Sequence, residues 1–293
     1  MAHRDESWQL AEGDAITAEL TAMKLLGGGS AYEAYLAFDE ITYAPVVVKV
    51  LRPGEVNDER SLDGLEREVR ALEIANHPVV VRGLRHELSG SRPHVVLELV
   101  DGPRLSSLVR RHGRLSEQQY LPLAIDIASA LHFFRHVDVC HLDIKPSNVI
   151  MGAPARLIDL SVARPAHRAA ALTSQIGTDR YMAPEQCAPG VDAAPGYASD
   201  VWGLGATLFH AVAGFAPFED GERDAGDLRE RFPQLVEHPR QLPDGVPDVV
   251  AKTIAAMLED DPANRPLPHE VATALEPALA AQPKHQLSFK VSR

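Results

Sequence analysis

Lysine and cysteine are the two residue types this chain almost does without. Six of its 29 basic residues are Lys (Lys24, Lys49, Lys145, Lys252, Lys284 and Lys290), and its only cysteines are Cys140 and Cys187. The two cysteines make no CxxC pair, so two buried thiols in a reducing cytosol are expected rather than a disulfide. The 13 His include no HExxH or other metal-ligand spacing. Basic charge is outnumbered, and a formal net charge of −12 argues against nucleic acid as a main partner. The first ten residues are charged and lack an apolar signal core, so no export signal is expected. Residues 201–218 contain no Asp, Glu, Lys or Arg, but Gly203, Gly205, Gly214, His210 and Pro217 shorten any membrane span. A helix apolar all round is also what a buried core requires, and that is the expectation here.

What is present fits a soluble globular protein. Hydrophobic residues make up 45% of the chain and charged residues 24%. A length of 293 residues suits one large domain or two small ones.

Residues 1–18 read as a loosely held lead-in. Short apolar runs at 22–26 and 32–38 then flank Gly27-Gly28-Gly29-Ser30, the pattern of strand, glycine turn, strand. Glycine at such a turn lets backbone N–H groups approach phosphate oxygens with no side chain in the way, although most such runs are plain hairpin turns. Residues 45–51 read as a β-branched strand carrying Lys49, a charge that is costly to bury without a partner. The helical spacing of 62–75 supplies Glu68 as that partner. Two more strands are expected, at 79–84 and 94–100, followed by helical patterns from Ser106. Ser116-Glu117-Gln118-Gln119 forms a candidate capping box, and Pro122 should kink the next helix or delay its start.

The densest chemistry lies in His141-Leu142-Asp143-Ile144-Lys145-Pro146-Ser147-Asn148. An acceptor for a hydroxyl proton, a cation near a moving phosphate and a metal ligand form the set that phosphoryl transfer needs. Read alone, the octapeptide is equally a surface turn. It resembles the catalytic loop of the eukaryotic-like (Hanks-type) protein kinases, H-R-D-x-x-x-x-N, with Leu142 in the place of Arg. The rest of that family's pattern follows in order across roughly residues 20–280. The glycine run is similar to G-x-G-x-x-G, with Tyr32 at the third Gly. Lys49 and Glu68 resemble the strand lysine and its helix glutamate. Asp159-Leu160-Ser161 stands where the family has D-F-G, and Ala183-Pro184-Glu185 matches A-P-E. Asp200-Val201-Trp202-Gly203-Leu204-Gly205 matches D-x-W-x-x-G, and Arg265-Pro266 matches the late R-P pair.

The resemblance implies an α+β, bilobal protein-kinase fold. A β-rich N-lobe with one helix would span 19–100, a mainly helical C-lobe 101–281, and a polar tail 282–293. ATP would bind between the lobes. Gly27, Gly28 and Gly29 would cover its phosphates, and Lys49, set by Glu68, would position the α- and β-phosphates. The backbones of Glu98 and Val100 would meet the adenine edge, with Leu97 behind it. Asn148 and Asp159 would hold Mg²⁺, or Mn²⁺ in its stead. Asp143 would take the acceptor's proton, Lys145 would neutralise γ-phosphate charge, and Thr178 would bridge the two. Asp200 would hold the loop backbone, and Glu185 would form a buried ion pair with Arg265. Ser161 in the place of Gly is expected to cost about 1 kcal/mol if the backbone keeps glycine-type angles. Thr173 and Ser174 are candidate phosphosites. Leu142 cannot pair with a phosphate, so activity should depend little on loop phosphorylation (a non-RD kinase).

The implied function is transfer of the ATP γ-phosphate to protein Ser/Thr hydroxyls, including its own. Tyr32, Leu142 and Ser161 favour a rival, a pseudokinase that binds nucleotide as a regulatory scaffold. A small-molecule kinase of the same fold is disfavoured by Glu185 and Arg265. Expected partners are ATP and protein substrates, with no nucleic acid and no membrane segment in this chain; the pattern does not specify an oligomeric state. The expected location is the cytoplasm, or the cytosolic part of a longer membrane-anchored protein. The bias of Arg over Lys and the high Ala content point to a GC-rich bacterial genome.

Overall fold

The computed structural model describes residues 6–283, so Lys284, Lys290 and most of the expected polar tail lie outside the described residues. Its smaller lobe is a five-stranded antiparallel sheet of β1 (Leu20–Gly28), β2 (Tyr32–Asp39), β3 (Ala44–Leu51), β4 (Gly83–Glu87) and β5 (His94–Glu98), in the order β1-β2-β3-β5-β4. Side chains alternate across a strand, so β3 sends Val46, Val48 and Val50 to one face, where they pack with Tyr35, Ala37 and Val96. Lys49 faces the opposite way, in register with Ala34 on β2 and Val95 on β5. That second face is covered by α1 (Glu59–Ile74) through Leu65, Val69 and Leu72. The Asp58 carboxylate caps α1, accepting from the Ser61 N–H at 2.8 Å, a contact worth about 1 kcal/mol.

Two expectations need correction in this lobe. Residues 6–18 are not loosely held. The Trp8 indole N–H donates to the Leu51 carbonyl at 2.7 Å, and the Arg92 guanidinium stacks on the Trp8 ring while donating to the Ala15 and Ile16 carbonyls. The expected strand at 79–84 is displaced as well. Val79, Val80 and Val81 are all buried, so they cannot alternate between a core and a solvent face. They pair instead with Leu157 of the larger lobe, whose N–H reaches the Val79 carbonyl at 2.6 Å, and β4 starts at Gly83.

The larger lobe comprises α2 (Leu105–His112), α3 (Glu117–His136), α4 (Ala166–Ala170), α5 (Pro184–Cys187), α6 (Tyr197–Ala213), α7 (Leu228–Arg231), α8 (Asp248–Met257) and α9 (Pro268–Ala280), with a small hairpin of β6 (Val149–Ile150) and β7 (Arg156–Leu157). The Gln119 side chain accepts from the Ser116 N–H at 3.1 Å, and α3 starts at Glu117 with Pro122 inside it, so the proline does not delay the start. The uncharged run at 201–218 forms most of α6, buried along nearly its whole length and ended by Gly214 at φ 86°. A Cβ on Gly203 would lie 2.9 Å from the Ile144 Cβ, and one on Gly205 would lie 2.8 Å from that of Met257. These two glycines let α6 run directly beneath the 141–148 loop and against α8. Among the described residues no helix is long and apolar enough to cross a membrane. Cys140 and Cys187 are both free and buried.

Candidate active site

The 141–148 loop is held from below by one carboxylate. Asp200, in the first turn of α6, accepts from the His141 N–H at 2.7 Å and the Leu142 N–H at 2.6 Å. Burial pushes the Asp200 carboxyl up to about 7, against the pull of those two donors. The two bonds also stabilise a strained turn: Leu142 has φ 64°, a left-handed geometry that costs a residue with a Cβ about 1–2 kcal/mol. Its side chain packs with Cys140 and Ala169, and Val162, Leu172 and Ile176 cover them. The Leu142 carbonyl accepts from the Gln186 amide at 2.9 Å, which also reaches the Ile176 carbonyl.

Three polar groups converge on Asp143. One carboxylate oxygen accepts from the Thr178 hydroxyl at 2.8 Å, and the other pairs with the Lys145 ammonium at 2.6 Å. Lys145 also donates to the Thr178 Oγ1 at 2.6 Å, which closes a triangle. The Asn148 amide N–H₂ donates to the Asp143 backbone carbonyl and carboxylate at 3.0 and 3.1 Å. With its nitrogen committed to Asp143, Asn148 presents its amide oxygen as the remaining acceptor.

A second ion cluster spans both lobes. The Lys49 ammonium lies 2.7 Å from one Glu68 oxygen and 2.8 Å from the other, and 2.8 Å from Asp159. Burial works against the Lys49 charge, but Glu68 and Asp159 outweigh it and hold the ammonium above the usual lysine range. Burial likewise opposes the Asp159 charge, and Lys49 overcomes it, keeping this carboxyl well below the usual range. Glu68 is pushed up by burial. An ionised Asp159 oxygen and an oriented Asn148 oxygen are hard donors, which suit Mg²⁺ completed by phosphate oxygens and water. Asp159 itself is left-handed, at φ 67°, a conformation that Asp tolerates better than most residues. The backbone cost expected at Ser161 is absent, because its φ is not positive. Its N–H points back toward Asp159 Oδ1 at 3.4 Å.

The glycine turn meets this cluster through Tyr32, whose ring would lie 3.5 Å from a Cβ on Gly29. The Gly29 N–H donates to the Tyr32 carbonyl at 3.0 Å, and a Cβ on Gly28 would fall 2.4 Å from that same oxygen. Gly27 has φ 139°, outside the range favourable to other residues. Leu97 is buried on β5 next to Glu98. The Glu98 N–H already donates to the Arg82 carbonyl at 3.0 Å, so only its carbonyl is available to a base. Val100 lies two residues beyond the end of β5 and is half-buried.

Sequence reasoning missed the contacts of three side chains. The Glu98 side chain pairs with Arg82 at 3.1 Å and with Arg156 of the larger lobe, joining the two lobes. Gln186 is a single amide in a buried run and gives no pattern to read. The Tyr32 phenol reaches Asp159, and its bulk at a glycine position was the available signal. Thr173 and Ser174 are exposed. Beside Thr178 opens a groove of about 570 Å³, lined by residues 177–181, 219–221, Arg223, Arg231, Pro233 and Gln234. Arg265 fixes Glu185 in a bidentate pair at 2.7 and 2.9 Å.

Comparison with known proteins agrees with this geometry. Residues 20–274 match the family model described as the protein kinase domain. The chain is 30% identical over 251 residues to Serine/threonine-protein kinase PknB of Mycobacterium leprae, covering 82% of this chain and 40% of that protein. It is 31% identical over 265 residues to Serine/threonine-protein kinase PknA of Mycobacterium tuberculosis, covering 86% of this chain and 59% of that protein. The chain therefore spans between two fifths and three fifths of the length of these relatives.

Proposed function

The chain belongs to the protein kinase family, in its bacterial Hanks-type branch, and from that premise we propose that it is an active Ser/Thr protein kinase. ATP is the phosphoryl donor and a protein Ser or Thr hydroxyl the acceptor. The observation that carries this reading is the convergence of the Thr178 hydroxyl and the Lys145 ammonium on Asp143.

In the proposed reaction the acceptor oxygen attacks the γ-phosphorus. A new O–P bond forms as the bond to the β,γ-bridging oxygen breaks, and that oxygen leaves with the electron pair on ADP. Asp143 accepts the hydroxyl proton, and Thr178 keeps its carboxylate aimed. Lys145 offsets negative charge on the transferred group, and Lys49, braced by Glu68, orients the α- and β-phosphates. Asn148 and Asp159 would hold Mg²⁺, which when bound shields the phosphate charge. Gly27, Gly28 and Gly29 cover the phosphates, and the Glu98 carbonyl and Val100 backbone take the adenine edge. Most of the rate gain in such chemistry comes from positioning and fixed charge.

The groove beside Thr178 suits an extended protein segment, which favours protein acceptors. The chain reads as a non-RD kinase, because Leu142 ties the loop to Ala169, Leu172 and Ile176 by apolar packing where a phosphate-binding Arg would otherwise act. The lobes divide near residue 100, and the reaction takes place in the cytosol. The test is incubation with ATP and Mg²⁺ followed by mass spectrometry, on wild type, Lys49→Met and Asp143→Asn, each with a generic Ser/Thr protein substrate. Phosphate on wild-type reactions alone supports the proposal; identical spectra for all three overturn it.

A further inference from the structure

Tyr32 stands where a glycine would leave open space, and its side chain does not point to solvent. The phenol O–H donates to Asp159 Oδ2 at 3.3 Å, and the Lys49 ammonium lies 4.0 Å from the ring centroid. The ring sits under the glycine turn, so that a Cβ on Gly29 would be 3.5 Å from it. One side chain therefore engages both groups that the ATP reading assigns to the phosphates and the metal. We propose that Tyr32 is a tethered competitor in the phosphate half of the cleft, which Mg²⁺-bound triphosphate must displace from Lys49 and Asp159. The inference rests on the ATP reading and adds to it a built-in limit on nucleotide affinity.

Three physical points support it. First, the competition is for the same atoms. A hard cation needs the Asp159 oxygens, one of which accepts from the phenol O–H, and phosphate oxygens need the Lys49 ammonium, which lies 4.0 Å from the ring. Second, the contacts are neutral-to-charged and individually modest, so the phenol can be exchanged and does not seal the site. Third, the ring has somewhere to go. A cavity of about 370 Å³ adjoins it on the α1 side, lined by Leu51, Gly64, Leu65 and Ser161 among others. The adenine half of the cleft, at Leu97 to Val100, contains none of these contacts. The competitor therefore acts on phosphates and leaves the base alone.

The experiment compares wild type, Tyr32→Phe and Tyr32→Gly by titration calorimetry with adenosine, with ATP alone and with ATP plus Mg²⁺. Circular dichroism checks the fold of each variant. Tyr32→Gly removes the hydrogen bond and the cation–π contact and should tighten Mg²⁺–ATP binding about 10- to 100-fold. Tyr32→Phe keeps the ring and should fall in between. Adenosine affinity should stay within about twofold across all three, since only the phosphate half changes. In steady-state assays the KM for ATP should fall while kcat changes much less, a split that a general loosening of the turn does not produce. Unchanged or weaker Mg²⁺–ATP affinity in both variants, with adenosine binding intact, overturns the inference and leaves the ATP reading standing. Failure of wild type and both variants to bind ATP or adenosine overturns the ATP reading as well.

Discussion

Replacing Arg265 by Met isolates the buried contact that ties down Glu185 of the Ala183-Pro184-Glu185 stretch. Arg265 and Glu185 are fully buried, with side-chain exposures of 0% and 2%. The guanidinium supplies two hydrogen bonds to the carboxylate and three more to the carbonyls of Ala198, Glu259 and Asp260. Without it, the Glu185 carboxylate keeps the Ser199 hydroxyl, at 2.6 Å, as its one donor side chain. Breaking a buried pair by removing one partner costs about 3–5 kcal/mol, because the remaining charge is stranded. For a domain whose total stability is about 5–15 kcal/mol, that is a large share. The assay is urea unfolding followed by tryptophan fluorescence. Trp202 reports directly, since its ring lies 5.0 Å from the Arg265 guanidinium carbon. The double variant Glu185→Gln/Arg265→Met should lose less than the sum of the two single variants, because neither charge is then stranded. A loss under about 1 kcal/mol for Arg265→Met, or strictly additive effects, refutes the reasoning.

Three further outcomes are expected. Thr178→Val removes the hydroxyl shared by Asp143 and Lys145, so kcat should fall about 10- to 100-fold, as expected for losing a hydrogen bond to a charged group. The KM for ATP should change little in the same assay. Thr173→Ala/Ser174→Ala should keep its activity within about tenfold of wild type, because apolar packing at Leu142 orders the loop; a larger loss in a kinase assay contradicts this. On the pH axis, bonds from Arg85 at 2.6 and 2.7 Å hold the Asp39 carboxyl well below its reference value of 3.8. The native state therefore binds this proton less readily than the unfolded chain. The contribution is present above that reference value and is lost as pH falls below it. Arg85→Met should flatten the acid limb of stability measured by urea unfolding as pH falls below about 4.

Most of the architecture could be read from the chain because chemistry and periodicity coincide there. Lys49 in a β-branched run needed a buried acid; the helical stretch 62–75 offers several, and the family resemblance implied Glu68 among them. The octapeptide at 141–148 carries its polar groups within one turn, so local sequence alone brings Asp143, Lys145 and Asn148 together. Long-range choices were harder to read. The three valines at 79–81 suggested a strand by composition, but they stitch the two lobes together at Leu157, which no local pattern encodes. The strain expected at Ser161 falls on Asp159 and Leu142 instead, because backbone angles depend on what each loop is tied to. Tyr32 was legible as a departure from glycine, but its contact with Asp159, far along the chain, appears only once the lobes are folded against each other.

The central claim is that Asp143 performs chemistry in a site that also binds nucleotide. The direct measurement is the rate of phosphate transfer from labelled ATP to a Ser/Thr protein substrate, with the Mg²⁺–ATP dissociation constant determined on the same samples of wild type and Asp143→Asn. The account predicts transfer by wild type, a loss of about 10²- to 10⁴-fold in the variant, and nucleotide affinity preserved within a few-fold. Tight nucleotide binding by both proteins, with no transfer by wild type above the Asp143→Asn background, would contradict it.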